Sequence, residues 1–549
     1  FKSFPSGNYQ GLVYASPDSR TGGGGMMLQP YPVYYEENLP CSKDCFSNVL
    51  FLPGLEASRL YQRDSDCYAI NCENQLWEPN RNDDVEKLFL NQNGKSIQDG
   101  IYVKDKGDDR GVIDEKNVSP LGRGNIYKSF LADLKQWKEN DKIITDYGVA
   151  PYDWRLSLED ILSSGNKLPD GSIHYSGANS ATSTPYIIQE LKRLAGTSKT
   201  GKVTIVAHSN GGLVTKELIR RLGDVEAKKL IEKVIFIAVP QAGTPEAIGA
   251  ILHGYDQGLP FDQTPVILTL ETARTLAQNM PSAYNLLPSE NYFTYVDDPV
   301  VKFDDSDILA EFRSRYGTSI NSETALKNFI TDTRRNASST PSDTIYPSVG
   351  NATLLSQAEA VHTSLDAWTP PQGILLYEVA GWGEDTLSTI EYYGGKKTVC
   401  KEVQATFPFT GTYCLHRTVP TIMYKPKEVV DGDGTVVVPS ALWSSATTTK
   451  KYWVDLKEYN KWWLNGNIPR KHADIFEISE LRTLVDDLIT NTASTPFTFI
   501  TSFQPATDVT ADKRLRFILH SPLDLSAIDN LGNRVSSATS TIPGSRYKR

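Results

Sequence analysis

The chain has 549 residues, 39% hydrophobic and 22% charged, with 56 Lys and Arg against 66 Asp and Glu for a formal net charge of −10. That is enough chain for one large elaborated domain and a smaller one, and the balance is that of a soluble globular protein, not a disordered one. Charges of both signs are interspersed and no apolar run approaches the roughly 18 residues of a membrane span, which sets aside a nucleic-acid binder and a transmembrane helix.

Six cysteines fall in three close pairs, Cys41/Cys45, Cys67/Cys72 and Cys400/Cys414. An even count so spaced implies three local disulfides and an oxidising compartment, although about 15 connectivities fit six cysteines. Zinc is the rival reading of the first two pairs. Neither has the two-residue knuckle spacing, so no metal is expected. The chain opens at Phe1 with neither a methionine nor an apolar leader, so any signal peptide has been removed or was never part of this sequence, and a secreted protein is the expectation.

Residues 1–46 are rich in Gly, Pro and Tyr, with four glycines at 22–25, and read as an extended N-terminal arm. Asn48-Val49-Leu50-Phe51-Leu52 is an apolar run suited to a strand buried on both faces, and it stops at Pro53-Gly54-Leu55. Residues 59–122 are polar and irregular, with Cys67, Cys72 and Trp77 inside them. An insertion of that length is a lid candidate, with a solvated surface loop as the alternative. Helical spacing follows at Phe130, Leu131, Leu134 and Trp137, then Tyr152-Asp153-Trp154-Arg155 and a further helix over Ile187–Leu194.

The most informative stretch is Lys202–Leu222. The β-branched run Val203–Val206 breaks at Ala207-His208-Ser209-Asn210-Gly211-Gly212, and Val214, Leu218 and Leu222 then recur four apart. A strand, a sharp turn with small residues two before and two after a serine, and a helix make a nucleophile elbow. The small residues are required because the turn is strained and brings the strand and helix backbones together.

Lys233–Val239 is another buried strand. Residues 246–370 break the rhythm with short helices and polar loops, the size of a cap insertion, before Gly373–Ala380 returns to strand. Alternating apolar strands and amphipathic helices specify an α/β fold with a largely parallel sheet covered on both faces. From residue 494 the text turns Ser/Thr-rich, with the alternating Arg514–Leu519 and a turn at 529–533, which suggests a small β-rich C-terminal segment over 494–549.

A serine hydroxyl needs a general base, itself oriented by a carboxylate, and in this fold the chain order is Ser, acid, His. Of the histidines that follow Ser209, the candidates weighed are His362, His416, His472 and His520. His362 and His416 precede every convincing acid loop, and His520 lies in the strand-like tail. His472 stands just before a helical pattern at Ile475, Ile478, Leu481, Leu484 and Leu488, where a catalytic histidine would sit. For the acid, Asp431-Gly432-Asp433-Gly434 lies between apolar flanks with glycines that let the backbone bend, and Asp433 is favoured over Asp431. A calcium loop is the rival reading, but no glutamate stands at its twelfth position.

These pieces resemble the lecithin:cholesterol acyltransferase family of α/β-hydrolases, which also holds phospholipases A and lipase-like members. The matching strings are Leu52–Ser58, Ala150–Leu156, Ala207–Gly212, Val239–Thr244 and Asp431–Val436, in family order within residues 47–493. The resemblance implies an α/β-hydrolase fold with lid (59–122) and cap (246–370) insertions. It implies Ser209 as nucleophile, Asp433 as acid, His472 as base, and the Leu55 and Asn210 amides as oxyanion hole. A short disulfide-closed lid is implied for Cys67, Cys72 and Trp77. Ala207 and Asn210 depart from the family's usual glycine and its usual leucine or methionine, and neither change should abolish chemistry.

The expectation is therefore a secreted serine esterase or lipase acting on carboxylic esters, lipid esters at a lipid–water interface foremost, with no cofactor. The alternatives are an acyltransferase to a sterol or glycerol hydroxyl, and a silent hydrolase fold used for binding.

Overall fold

The computed structural model describes residues 46–63, 73–115, 124–175, 185–257, 267–338, 342–405, 411–444, 446, 449–461, 468–492, 496–505, 526–529, 532–536 and 539–541. The N-terminal arm, Cys67, Cys72, Arg514–Leu519 and His520 lie outside them. At the centre is a seven-stranded sheet whose strands are β1 (Asn48–Leu52), β2 (Tyr147–Val149), β3 (Val203–His208), β4 (Ile231–Ile237), β5 (Leu375–Trp382), β6 (Lys450–Asp455) and β7 (Ile500–Thr501). Their spatial order is β2-β1-β3-β4-β5-β6-β7, parallel throughout except for the antiparallel β6–β7 pair.

The apolar runs of the sequence explain this placement. Every residue of β1 and β3 is buried, as a strand covered on both faces requires. Four helices carry the cover: α1 (Lys128–Glu139), α2 (Tyr186–Thr197), α3 (Asn210–Leu230) and α4 (Ser479–Thr490). In α1, Phe130, Leu131, Leu134 and Trp137 are the buried face, as their spacing indicates. Within α3, Gly223 leaves helical geometry at φ 68° and ψ 160°, so the segment is two helices joined at a kink. No helix of the described residues is long and apolar enough to cross a membrane.

Two further sheets frame the centre. Leu60–Arg63, Glu73–Trp77 and Ile101–Lys104 join Ser172–His174 and Asn166–Lys167 in a five-stranded antiparallel sheet. This ordered sheet corrects the reading of 59–122 as irregular. Its strands are short, and Leu60–Arg63 (buried-intermediate-intermediate-exposed) and Glu73–Trp77 are partly exposed, so they leave no long apolar run. Thr386–Ala405 and Gly411–Val429 form a long antiparallel ribbon closed by the Cys400–Cys414 disulfide. The ribbon pairs at its base with Val301–Phe303 and through that strand with Ser319–Ile320, so the helical excursion after residue 246 and the ribbon share one sheet.

At the C-terminus, Ala527–Ile528, Arg534–Ser536 and Thr539–Ser540 make a small antiparallel sheet, with the Asp529 amide donating to the Asn533 carbonyl (2.9 Å). β7 comes from the same segment yet lies on the edge of the central sheet, against β6.

Candidate active site

Strand β3 delivers Ser209 at its carboxyl end, with φ 51° and ψ −127°. A serine with positive φ is strained, and the surroundings hold it there. The Ser209 amide donates to the Ile237 carbonyl (3.0 Å) and the Gly212 amide to the Ser209 carbonyl (3.0 Å). A Cβ at Gly211 would overlap the carbonyl oxygens of Leu52 and Pro53, and one at Gly212 would overlap the Val239 side chain. Both glycines are needed for close approach, and Ala207 is wholly buried.

His472 enters from the short 3-10 turn His472–Glu477 that precedes α4. Its Nε2 lies 2.9 Å from Ser209 Oγ and its Nδ1 2.8 Å from Asp433 Oδ2. The carboxylate can only accept, so Nδ1 carries the proton and Nε2 is free to accept from the serine. Asp433 is fully buried, and its other oxygen accepts the Thr435 (3.1 Å) and Val436 (2.8 Å) amides. The His472 amide donates to the Asp433 carbonyl (2.9 Å), which ties the two loops by main chain as well. Asn460 locks the approach to His472, giving Nδ2 to Glu384 Oε1 (2.8 Å) and to the Arg470 carbonyl (2.9 Å) while accepting the Arg470 amide (2.8 Å).

The other candidates sit elsewhere. The Asp431 carboxylate accepts from Gln504 Nε2 at 3.4 Å, and burial pushes it above the usual carboxyl range. His362 is held between Asp366 Oδ1 and the Asn285 carbonyl, both at 2.9 Å. His416 lies exposed on the ribbon. Trp77 is buried, its indole N–H donating to the Glu56 carbonyl (2.6 Å) and its ring edge-on to Trp154 at 5.1 Å. Among the described residues no group of three or more His, Cys, Asp or Glu is placed to hold a metal.

The Pro53–Leu55 loop runs directly against the elbow, since a Cβ at Gly54 would lie 3.0 Å from Ser209 Cβ. Among the described residues no hydrogen-bond acceptor takes the N–H of Leu55 or of Asn210. Two amides beside a serine with no internal acceptor can bind an oxygen that develops negative charge. His208 and Tyr127, which contact each other and this loop, gained no role from the sequence. His208 was visible inside the elbow string, whereas Tyr127, at the start of α1, carried no signal of its own.

The chain is thus a mixed α/β protein with a mostly parallel central sheet and a buried Ser–His–Asp chain of hydrogen bonds at the carboxyl end of β3. Residues 111–342 match the family model described as lecithin:cholesterol acyltransferase, consistent with the family resemblance of the sequence motifs. That stretch holds Tyr152, Ser209 and Asn210 and ends before Asp433 and His472. Among solved structures, the crystal structure of the Tle4-Tli4 complex is similar at 13% identity and a TM-score of 0.43, covering 82% of this chain and 99% of that one. No curated protein matches the chain.

Proposed function

We propose that the chain is a secreted serine hydrolase of the α/β-hydrolase fold that cleaves carboxylic esters, lipid esters foremost. The observation that carries this is the continuous bond path from Ser209 Oγ through His472 to Asp433, with the serine on a strained turn. The lecithin:cholesterol acyltransferase match supports the lipid ester class. In the scheme, Ser209 Oγ attacks the ester carbonyl while its proton passes to His472 Nε2. Asp433 holds the imidazole tautomer and offsets the imidazolium charge. The carbonyl electron pair becomes an oxyanion held by the Leu55 and Asn210 amides, each such donor contributing about 3–4 kcal/mol. Collapse expels the alcohol, which takes the proton from His472 and leaves an acyl-serine. Water then repeats the sequence and releases the acid. The scheme needs no metal or organic cofactor, because one histidine moves both protons.

An acyltransferase would pass the acyl group to an alcohol at the last step, and the family match favours keeping this second reading. The test is turnover of p-nitrophenyl esters of increasing chain length, wild type beside Ser209→Ala. Turnover that rises with chain length and vanishes in the variant supports the reading, and turnover that survives Ser209→Ala overturns it. Adding a sterol or glycerol acceptor to the same assay separates release of free acid from transfer.

A further inference from the structure

Ser209 is flanked by two polar side chains that the ester-cleavage scheme leaves unused, and each reaches through a buried tyrosine to the Pro53-Gly54 turn. On one side, His208 Nε2 lies 3.1 Å from the His472 carbonyl, which can only accept, so Nε2 carries the proton. Burial holds the His208 pKa well below its ordinary value, and the facing His472 adds to this, so the ring is neutral and Nδ1 is an acceptor. The Tyr127 hydroxyl donates to that Nδ1 (2.7 Å) and accepts the Gly54 amide (3.2 Å). On the other side, Asn210 Nδ2 donates to the Tyr152 hydroxyl (3.2 Å), which donates to the Pro53 carbonyl (2.8 Å).

All four side chains are buried. Each tyrosine spends its single proton and accepts one, so the direction of every bond is determined. The two chains end on Pro53 and Gly54, one residue before Leu55. An oxyanion donor works only when it lies about 2.7–3.1 Å from where the charge develops. The loop carrying Leu55 leaves β1 at Leu52 and is not itself a strand, and these two hydroxyls anchor it directly to the residues on either side of the nucleophile.

We propose that Tyr127 and Tyr152 are positioning residues, paired struts that set the spacing between the Leu55 and Asn210 amides. This rests on the serine-esterase reading above. Through His208, the Tyr127 strut also links the backbone of the base to the oxyanion loop.

Tyr→Phe at either position removes the hydroxyl and keeps the ring, which for Tyr127 packs on Phe51 at 5.0 Å and Phe476 at 5.9 Å. The experiment measures kcat and KM on a p-nitrophenyl ester for Tyr127→Phe and Tyr152→Phe. It adds the Ki of a matched trifluoromethyl ketone, whose carbonyl carbon bonds Ser209 Oγ while its oxygen becomes an alkoxide and the serine proton moves to His472. A small misplacement of a donor costs from about ten- to a hundredfold, so kcat should fall by that factor with KM within about twofold. Ketone affinity should fall in parallel, with the melting temperature little changed. A fall in kcat with ketone affinity unchanged, or no fall in either variant, overturns the proposal. If one variant does not fold, the other decides. Ser209→Ala runs alongside: turnover surviving there sinks the esterase reading itself, whereas turnover lost there with both Phe variants unaffected sinks only the struts.

Discussion

At the residue scale the decisive feature is which aspartate His472 meets. Asp433 and Asp431 stand two apart on a loop where glycines allow either to turn inward, and the sequence favours Asp433 with Asp431 as the weaker rival. The structure puts Asp433 Oδ2 2.8 Å from the ring and satisfies its other oxygen with two amides, while Asp431 faces Gln504. Asp433→Asn keeps the shape but offers an amide donor to Nδ1, which reverses the tautomer the serine needs. Its kcat should fall about 10⁴-fold with the fold intact, as loss of the carboxylate does in a comparable triad. Asp431→Asn should stay within a few-fold of wild type. Equal losses in the two variants would remove the distinction. The pattern of Asp-Gly-Asp-Gly between apolar flanks was readable because a tight loop at a strand end needs it. The hydroxyl-mediated ties of Tyr127 and Tyr152 were not, because they join residues 73 and 99 positions apart in the chain.

Elements packed against one another explain which glycines matter. Gly211 sits where α3 starts under the β1 loop, and a methyl there meets the Leu52 and Pro53 carbonyls, which cannot move without shifting the oxyanion loop. Gly196, near the end of α2, has no atom within 4 Å of an added Cβ. Gly211→Ala should therefore lose most activity and about 1–3 kcal/mol of stability from overpacking, whereas Gly196→Ala should be neutral or gain up to about 1 kcal/mol in the helix. Urea unfolding of both variants checks this. β1, β3 and β4 were legible because strands covered on both faces carry uninterrupted apolar text. The sheet containing Leu60–Arg63 and the Thr386–Val429 ribbon were not. Their strands are partly exposed, and Leu60–Arg63 pairs with Ile101–Lys104 some forty residues away, a partnership that local pattern does not encode.

For the whole molecule, α1 and α4 bring carboxylates together. Asp486 on α4 is half-buried, and burial first, then Asp487, Asp141 and Asp133, raises its pKa to about 6. Nearby, Arg482 is engaged with Asp133 at 2.6 Å, and Glu477 accepts the Ser129 amide at 2.9 Å. Because the folded pKa lies above the unfolded value, the folded state holds the extra proton between them, and stability rises as pH falls through about 6. Above that pH the charged form is a cost, moderated by its partial exposure to solvent. Asp486→Asn should raise the melting temperature by roughly 1–2 °C at pH 8, with the gain shrinking toward pH 4. A gain equal at both pH values would contradict the assignment.

The central claim is that Ser209 is a nucleophile activated by His472, and covalent labelling tests it most directly. The wild-type protein, Ser209→Ala and His472→Ala are treated with a fluorophosphonate, and the modified peptide is located by mass spectrometry. The expected result is stoichiometric labelling of wild type at Ser209, none in Ser209→Ala and strongly slowed labelling in His472→Ala. A label on another residue, or equal labelling of Ser209 with and without His472, would contradict the account.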